Sequence, residues 1–131
     1  MKKILLITTG GTIASISTEN GLVPGLTGKQ LLENVPSIYK MCDVDVLTLY
    51  SIDSTNVYYK HWLKIASTIK ENYEKYDGFV ICHGTDTMSY TASALSYLIQ
   101  NSKKPIVITG SQKPINLDIS DAKTNLLDSF T

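Results

Sequence analysis

Lys3–Thr12, KILLITTGGT, is the stretch whose reading decides the fold. Ile4 to Ile7 is an unbroken apolar run, and Thr8, Thr9 and two glycines close it. A short apolar run ended by glycine fits a strand buried on both faces. Three further runs share that character: Val44–Tyr50 (VDVLTLY), Gly78–His83 (GFVICH) and Pro105–Thr109 (PIVIT), the last stopped by Gly110. Helical patterns lie between them. Thr27-Gly28-Lys29-Gln30 has the T-x-x-Q form of a capping box ahead of Leu31, Leu32 and Val35. Trp62, Ile65, Ala66, Ile69 and Tyr73 share one helical face, and Met88, Ala92, Leu95 and Ile99 share another. A last helix is predicted from Asp121 to Phe130. Apolar strands alternating with helices predict an α/β fold with a mainly parallel sheet covered on both faces.

The chain has 131 residues, 43% hydrophobic and 18% charged, which fits one domain with a real core and argues against disorder. Twelve Lys+Arg balance twelve Asp+Glu, so no long-range positive field draws in nucleic acid. The four apolar residues after Met1-Lys2-Lys3 are too few for a spanning helix of ~20 residues or a secretory core of ~7–15. The expectation is a cytoplasmic protein with no membrane partner. Cys42 and Cys82 form no disulfide framework, and Cys82, inside an apolar run, reads as a buried reduced thiol.

In open parallel sheets, ligands bind beyond the carboxyl ends of the strands. Four segments stand there: Thr9-Gly10-Gly11-Thr12, Ser51 to Asn56, His83 to Thr87, and Gly110-Ser111-Gln112. All are rich in Gly, Ser, Thr and Asp. Glycines let backbone N–H groups approach a ligand or a developing oxyanion. The dinucleotide and P-loop glycine patterns are absent. Thr85 offers a hydroxyl and Asp86 a carboxylate, although both residue types also serve as helix caps. His83 reads as a hydrogen-bonded structural residue, since no G-x-S-x-G elbow accompanies it. His83, His61 and Cys82 lack zinc-ligand spacing, so no metal is expected. A threonine hydroxyl is a weak nucleophile that needs a base and an oxyanion site at the same point. From the residues alone the chemistry is amide or acyl transfer, or the binding of a small polar ligand.

Thr8-Thr9-Gly10-Gly11-Thr12-Ile13-Ala14 resembles the N-terminal signature of bacterial-type L-asparaginases, and His83-Gly84-Thr85-Asp86-Thr87-Met88 resembles their second signature. Ile52-Asp53-Ser54-Thr55-Asn56 and Lys104 to Gln112 resemble family segments in the same order, so the likeness runs over essentially the whole chain. It implies a three-layer α/β/α, Rossmann-like N-terminal domain over residues 1–131, of the type I, cytoplasmic branch. It implies hydrolysis of L-asparagine to L-aspartate and ammonia without cofactor or metal, by a protein that is usually a homo-oligomer. Thr12 matches the nucleophilic threonine, and Thr85 and Asp86 match the second threonine and its aspartate. Asp53, Ser54 and Thr55 match the segment that grips the substrate's carboxylate and amine. Asp86 also holds that amine, and the amides of Gly11 and Thr85 are the expected oxyanion donors.

The resemblance also marks departures. The family's catalytic lysine falls beyond Thr131, and none of Lys103, Lys104, Lys113 and Lys123 has a matching context. The family's second domain has no counterpart in these residues. The loop tyrosine thought to assist the nucleophile aligns with Leu22. Three readings follow: an L-asparaginase domain, a non-catalytic chain that keeps an Asp/Asn-binding pocket, and the amidase component of a tRNA-dependent amidotransferase.

Overall fold

In the computed structural model, which describes all of residues 1–131, the four apolar runs become one parallel sheet. Its strands are β1 (Lys3–Gly10), β4 (Asp43–Ile52), β5 (Gly78–Cys82) and β6 (Ile106–Thr109), in the order β4-β1-β5-β6. The register pairs Leu6 with Val46 on one side and Val80 on the other, and Val80 with Val107. β1 and β5 hold the middle, and β5 is buried along its whole length.

Side chains alternate across the two central strands. Leu6, Val80 and Cys82 face one layer, built from α1 (Gly28–Glu33), α2 (Ile38–Met41) and α5 (Ala122–Ser129) through Leu31, Leu32, Ile38 and Leu126. Leu5, Ile7, Phe79 and Ile81 face the other layer. There α3 (Tyr59–Asn72) supplies Ile65 and Ile69, and α4 (Met88–Leu98) supplies Leu95. The molecule is therefore the expected α/β/α sandwich. The start of α1 carries the predicted capping box, with Thr27 Oγ1 accepting from Gln30 N–H at 3.2 Å and Gln30 Oε1 accepting from Thr27 N–H at 2.9 Å.

A hairpin and a short helix are absent from the sequence reading. β2 (Ser15–Thr18) and β3 (Gly21–Pro24) pair antiparallel around Glu19-Asn20. Gly21 takes φ +106°, and Thr18 Oγ1 donates to its carbonyl at 2.7 Å. All of β3 is exposed, so no buried face imposes the alternation that announces a strand. The single turn of α2 is too short for periodicity to reveal. No helix is long and apolar enough to cross a membrane.

Candidate functional site

The strand order reverses around β1, which has the next strand in the sheet's chain order, β4, on one side and β5 on the other. Such a switch point opens a crevice at the carboxyl ends of the strands. A cavity of about 180 Å³ lies there, lined by Gly11, Thr12, Ser15, Leu22, Pro24, Ile52, Asp53, Ser54, Gly84, Thr85 and Asp86.

Close backbone packing brings these loops together. Thr9 Oγ1 donates to the Cys82 carbonyl at 2.7 Å and ties the end of β1 to that of β5. Two residues further, Gly11 takes φ +85°, and a Cβ built on it would lie 2.6 Å from the backbone of Gly84. A Cβ on Gly84 would in turn lie 2.6 Å from Cβ of Ser54. Only glycine allows the three loops to approach this closely, so the glycines of the T-G-G-T and H-G-T-D patterns serve packing. Thr87 Oγ1 donates to the Ser54 carbonyl at 2.7 Å and closes the ring of contacts.

Thr12 opens a short 3-10 turn, Thr12–Ala14, whose Ile13 and Ala14 are buried beneath it, so the threonine is anchored by its neighbours. Thr12 and Thr85 are half-buried, Ser54 is buried, and Asp53 and Asp86 are exposed on the rim. No fully buried side-chain polar atom lacks a partner, so the unbonded hydroxyls among these residues are accessible to solvent. Asp53 Oδ1 accepts from the N–H and the hydroxyl of Thr55, both at 3.0 Å, and caps the turn Ser54–Asn56.

Of the residues singled out in the sequence, Gly11, Thr12, Asp53, Ser54, Thr85 and Asp86 converge on the cavity. Thr55 does not line it; its polar groups turn to Asp53 instead. Ser15 and Pro24 have no site role in the sequence reading, and Leu22 and Ile52 enter it only as aligned positions. Ser15 donates to the Gly11 carbonyl at 2.9 Å, four residues back, and faces Pro24 across the hairpin. That i, i+4 spacing is the one available signal; the hairpin wall itself has none. The lining contains two carboxylates and neither lysine nor histidine. Nowhere do three His, Cys, Asp or Glu side chains cluster. Cys82 is fully buried below the site, and burial pushes its thiol up to about 12, which removes it from nucleophilic chemistry.

The family description "Asparaginase, N-terminal" matches residues 3–131. The chain belongs to this family. It is similar to the L-asparaginase of Thermococcus kodakarensis, 40% identical over 131 residues that make up 98% of this chain and 40% of the relative. A glutamyl-tRNA(Gln) amidotransferase component from Pyrococcus abyssi is 42% identical over 132 residues, 98% of this chain and 30% of the relative. The crystal structure of L-asparaginase I from Vibrio cholerae superposes with a TM-score of 0.90 at 39% identity, covering 98% of this chain and 40% of that one. The asparaginase-family domain seen here thus spans well under half the length of the relatives it matches.

Proposed function

We propose that the cavity is an amide-hydrolysis site for L-asparagine, with Thr12 as nucleophile. The supporting observation is the convergence of two unbonded threonines, a buried serine and two rim carboxylates on one small space clamped by Gly11 and Gly84. Asp53 and Asp86 attract the substrate ammonium, while Ser54 and backbone N–H groups receive its carboxylate. The Thr12 oxygen adds to the side-chain amide carbon, and the proton of its hydroxyl passes to the amide nitrogen. The oxyanion formed is held by N–H groups of the Gly11 and Thr85 segments. The C–N bond then breaks and ammonia leaves with a proton, giving an ester on Thr12. Water cleaves the ester, releases L-aspartate and restores the hydroxyl.

A second reading has one specific support: relatives named as glutamyl-tRNA(Gln) amidotransferase components match as well as those named L-asparaginase. On that reading the same chemistry supplies ammonia for glutamyl-tRNA. The balanced charge of this domain does not favour direct contact between it and tRNA.

Ammonia release from L-asparagine and L-glutamine by wild type and Thr12→Ala tests the assignment. Release by wild type alone is expected. Equal release by Thr12→Ala would remove Thr12 as nucleophile. L-Aspartate binding with no ammonia from either protein would identify a pocket without catalysis. Co-purification with a partner protein and tRNA would favour the amidotransferase role.

A further inference from the structure

We propose that His83 is a positioning residue that, with Thr91 and Trp62, aims the Thr85 N–H into the cavity. This rests on the amide-hydrolysis reading of the site. His83 is 1% exposed, and both of its ring nitrogens are bonded. Nδ1 lies 2.6 Å from the Gly84 carbonyl oxygen, and Nε2 lies 2.8 Å from Thr91 Oγ1. Thr91 Oγ1 also lies 2.9 Å from Trp62 Nε1.

The direction of every bond in this row is fixed by its ends. An indole N–H only donates, so Thr91 Oγ1 accepts from Trp62; with the single proton of a neutral ring on Nδ1, the Thr91 hydroxyl donates to Nε2. A carbonyl only accepts, so Nδ1 carries the ring proton and donates to Gly84. The ring is thus a neutral Nδ1–H tautomer, and burial, which holds its pKa below the usual histidine value, favours the same state.

The consequence falls on the next peptide group. All peptide bonds in the chain are trans, and in a trans peptide the C=O and N–H point in opposite directions. The Gly84 carbonyl turns inward to buried His83, so the Thr85 N–H on the same plane turns outward, to the side where Gly84 and Thr85 line the cavity. No backbone carbonyl of the chain accepts from that N–H. Gly11 and Ser54 press on Gly84 from other sides, so the peptide has little room to rotate. A row running from α3 through α4 to the end of β5 therefore orients a donor expected to meet the oxyanion. His83 itself does not line the cavity.

The test compares wild type, His83→Leu, His83→Asn and Thr91→Val by NMR. Nitrogen shifts of the imidazole report the tautomer, residual dipolar couplings report the Thr85 N–H direction, and titration reports affinity for L-aspartate. Wild type should show Nδ1–H. His83→Leu should turn the Thr85 vector and weaken L-aspartate about tenfold, the scale of one hydrogen bond to a charged group. An asparagine amide reaches the place of Nδ1, so His83→Asn should keep the vector and stay within about threefold of wild type. Thr91→Val keeps the Gly84 bond but frees the Nε2 side of the ring, so it should retain Nδ1–H and turn the Thr85 vector by less than His83→Leu does; a vector identical to wild type would remove Thr91 from the row. An Nε2–H tautomer in wild type would overturn the proposal, as would an unmoved Thr85 vector with unchanged affinity in His83→Leu. If His83→Leu does not fold, the wild-type tautomer and Thr91→Val decide the matter. A turned Thr85 vector in a protein that binds no L-aspartate would support the positioning role and count against the amide-hydrolysis reading instead.

Discussion

The two ends of the sheet handle charge in opposite ways. At the amino ends of the strands, charges are matched locally. Lys3 Nζ meets Asp45 at 2.9 Å, and Lys2 Nζ lies 3.9 Å from Asp77, whose carboxylate also accepts from the Lys3 N–H at 2.8 Å. Tyr76 donates to Asp45 at 2.8 Å, and Lys104 bonds the Tyr73 carbonyl and sits 4.6 Å from the centre of its ring. A large groove of about 490 Å³ lies at this end, between the last turns of α3 and α4, and a cavity of equal volume lies at the other end, between the first turns of the same helices, lined by Val57, Tyr58, Tyr59, Trp62, Thr87 and Tyr90. At the carboxyl ends the cavity at the switch point is about 180 Å³, and Asp53 and Asp86 on its rim have no ion-pair partner among the two salt bridges of the chain. Volume alone does not single out either end. The end whose polar groups are left unmatched, and whose backbones are pressed together to hold them there, is the one suited to a charged ligand.

The largest effect is expected where the two ends should separate most cleanly. Ile69 is buried in the α3 layer and also borders the large groove. Ile69→Ala should cost about 2–5 kcal/mol in denaturant unfolding. L-Aspartate binding, measured below the unfolding transition, should stay at the wild-type level. A loss of binding at unchanged stability would break the separation of the two ends.

Next come two glycines that share a positive φ but differ in surroundings. Gly11→Ala meets a strained φ, worth about 1–3 kcal/mol, and also a collision with Gly84. It should lower the melting temperature and abolish L-aspartate binding. At Gly21, φ +106°, nothing lies within 4 Å of the added methyl. Gly21→Ala should therefore show only the strain cost, about 1–3 kcal/mol, and retain binding. Equal behaviour of the two variants would mean that the close packing at Gly11 is not what maintains the site.

A smaller effect concerns the loop after β6. The N–H of Gln112 beside Asp121, joined by that of Lys113, holds the Asp121 carboxyl below its usual value. A lowered folded pKa stabilises above the unfolded value of about 3.9, and that contribution is lost as pH falls through the folded pKa. Asp121→Asn should flatten the acid limb of stability below about pH 4 and leave the neutral region nearly level. The smallest signal is a thiol count. Cys42 and Cys82 are both buried and free, so neither should react with a thiol reagent in the native state, and both should react on unfolding.

Much of this arrangement is legible in the sequence because it depends on local rules. Continuous apolar runs announce β1 and β5, which are buried on both faces, and the Thr27 capping box marks the start of α1. The strand-end rule then leads to Thr12, Ser54, Thr85 and Asp86. The β2–β3 hairpin escapes because its outer strand is exposed and carries no periodic signal. Leu22 and Pro24 therefore enter the cavity wall as a structural finding. The role of His83 escapes for a different reason. Its partners Thr91 and Trp62 lie 8 and 21 residues away, on two separate helices, and only the folded chain brings Trp62 Nε1 within 2.9 Å of Thr91.

The most direct test is an NMR titration of the 131-residue chain with L-aspartate, followed at every backbone amide. The predicted result is a set of shifts confined to the loops around Gly11, Thr12, Asp53, Ser54 and Gly84 to Asp86, and absent from Thr12→Ala or sharply weakened there. Shifts centred instead on Ser67, Tyr73 and Ser102 in the large groove would contradict the placement of the site at the carboxyl ends of the strands.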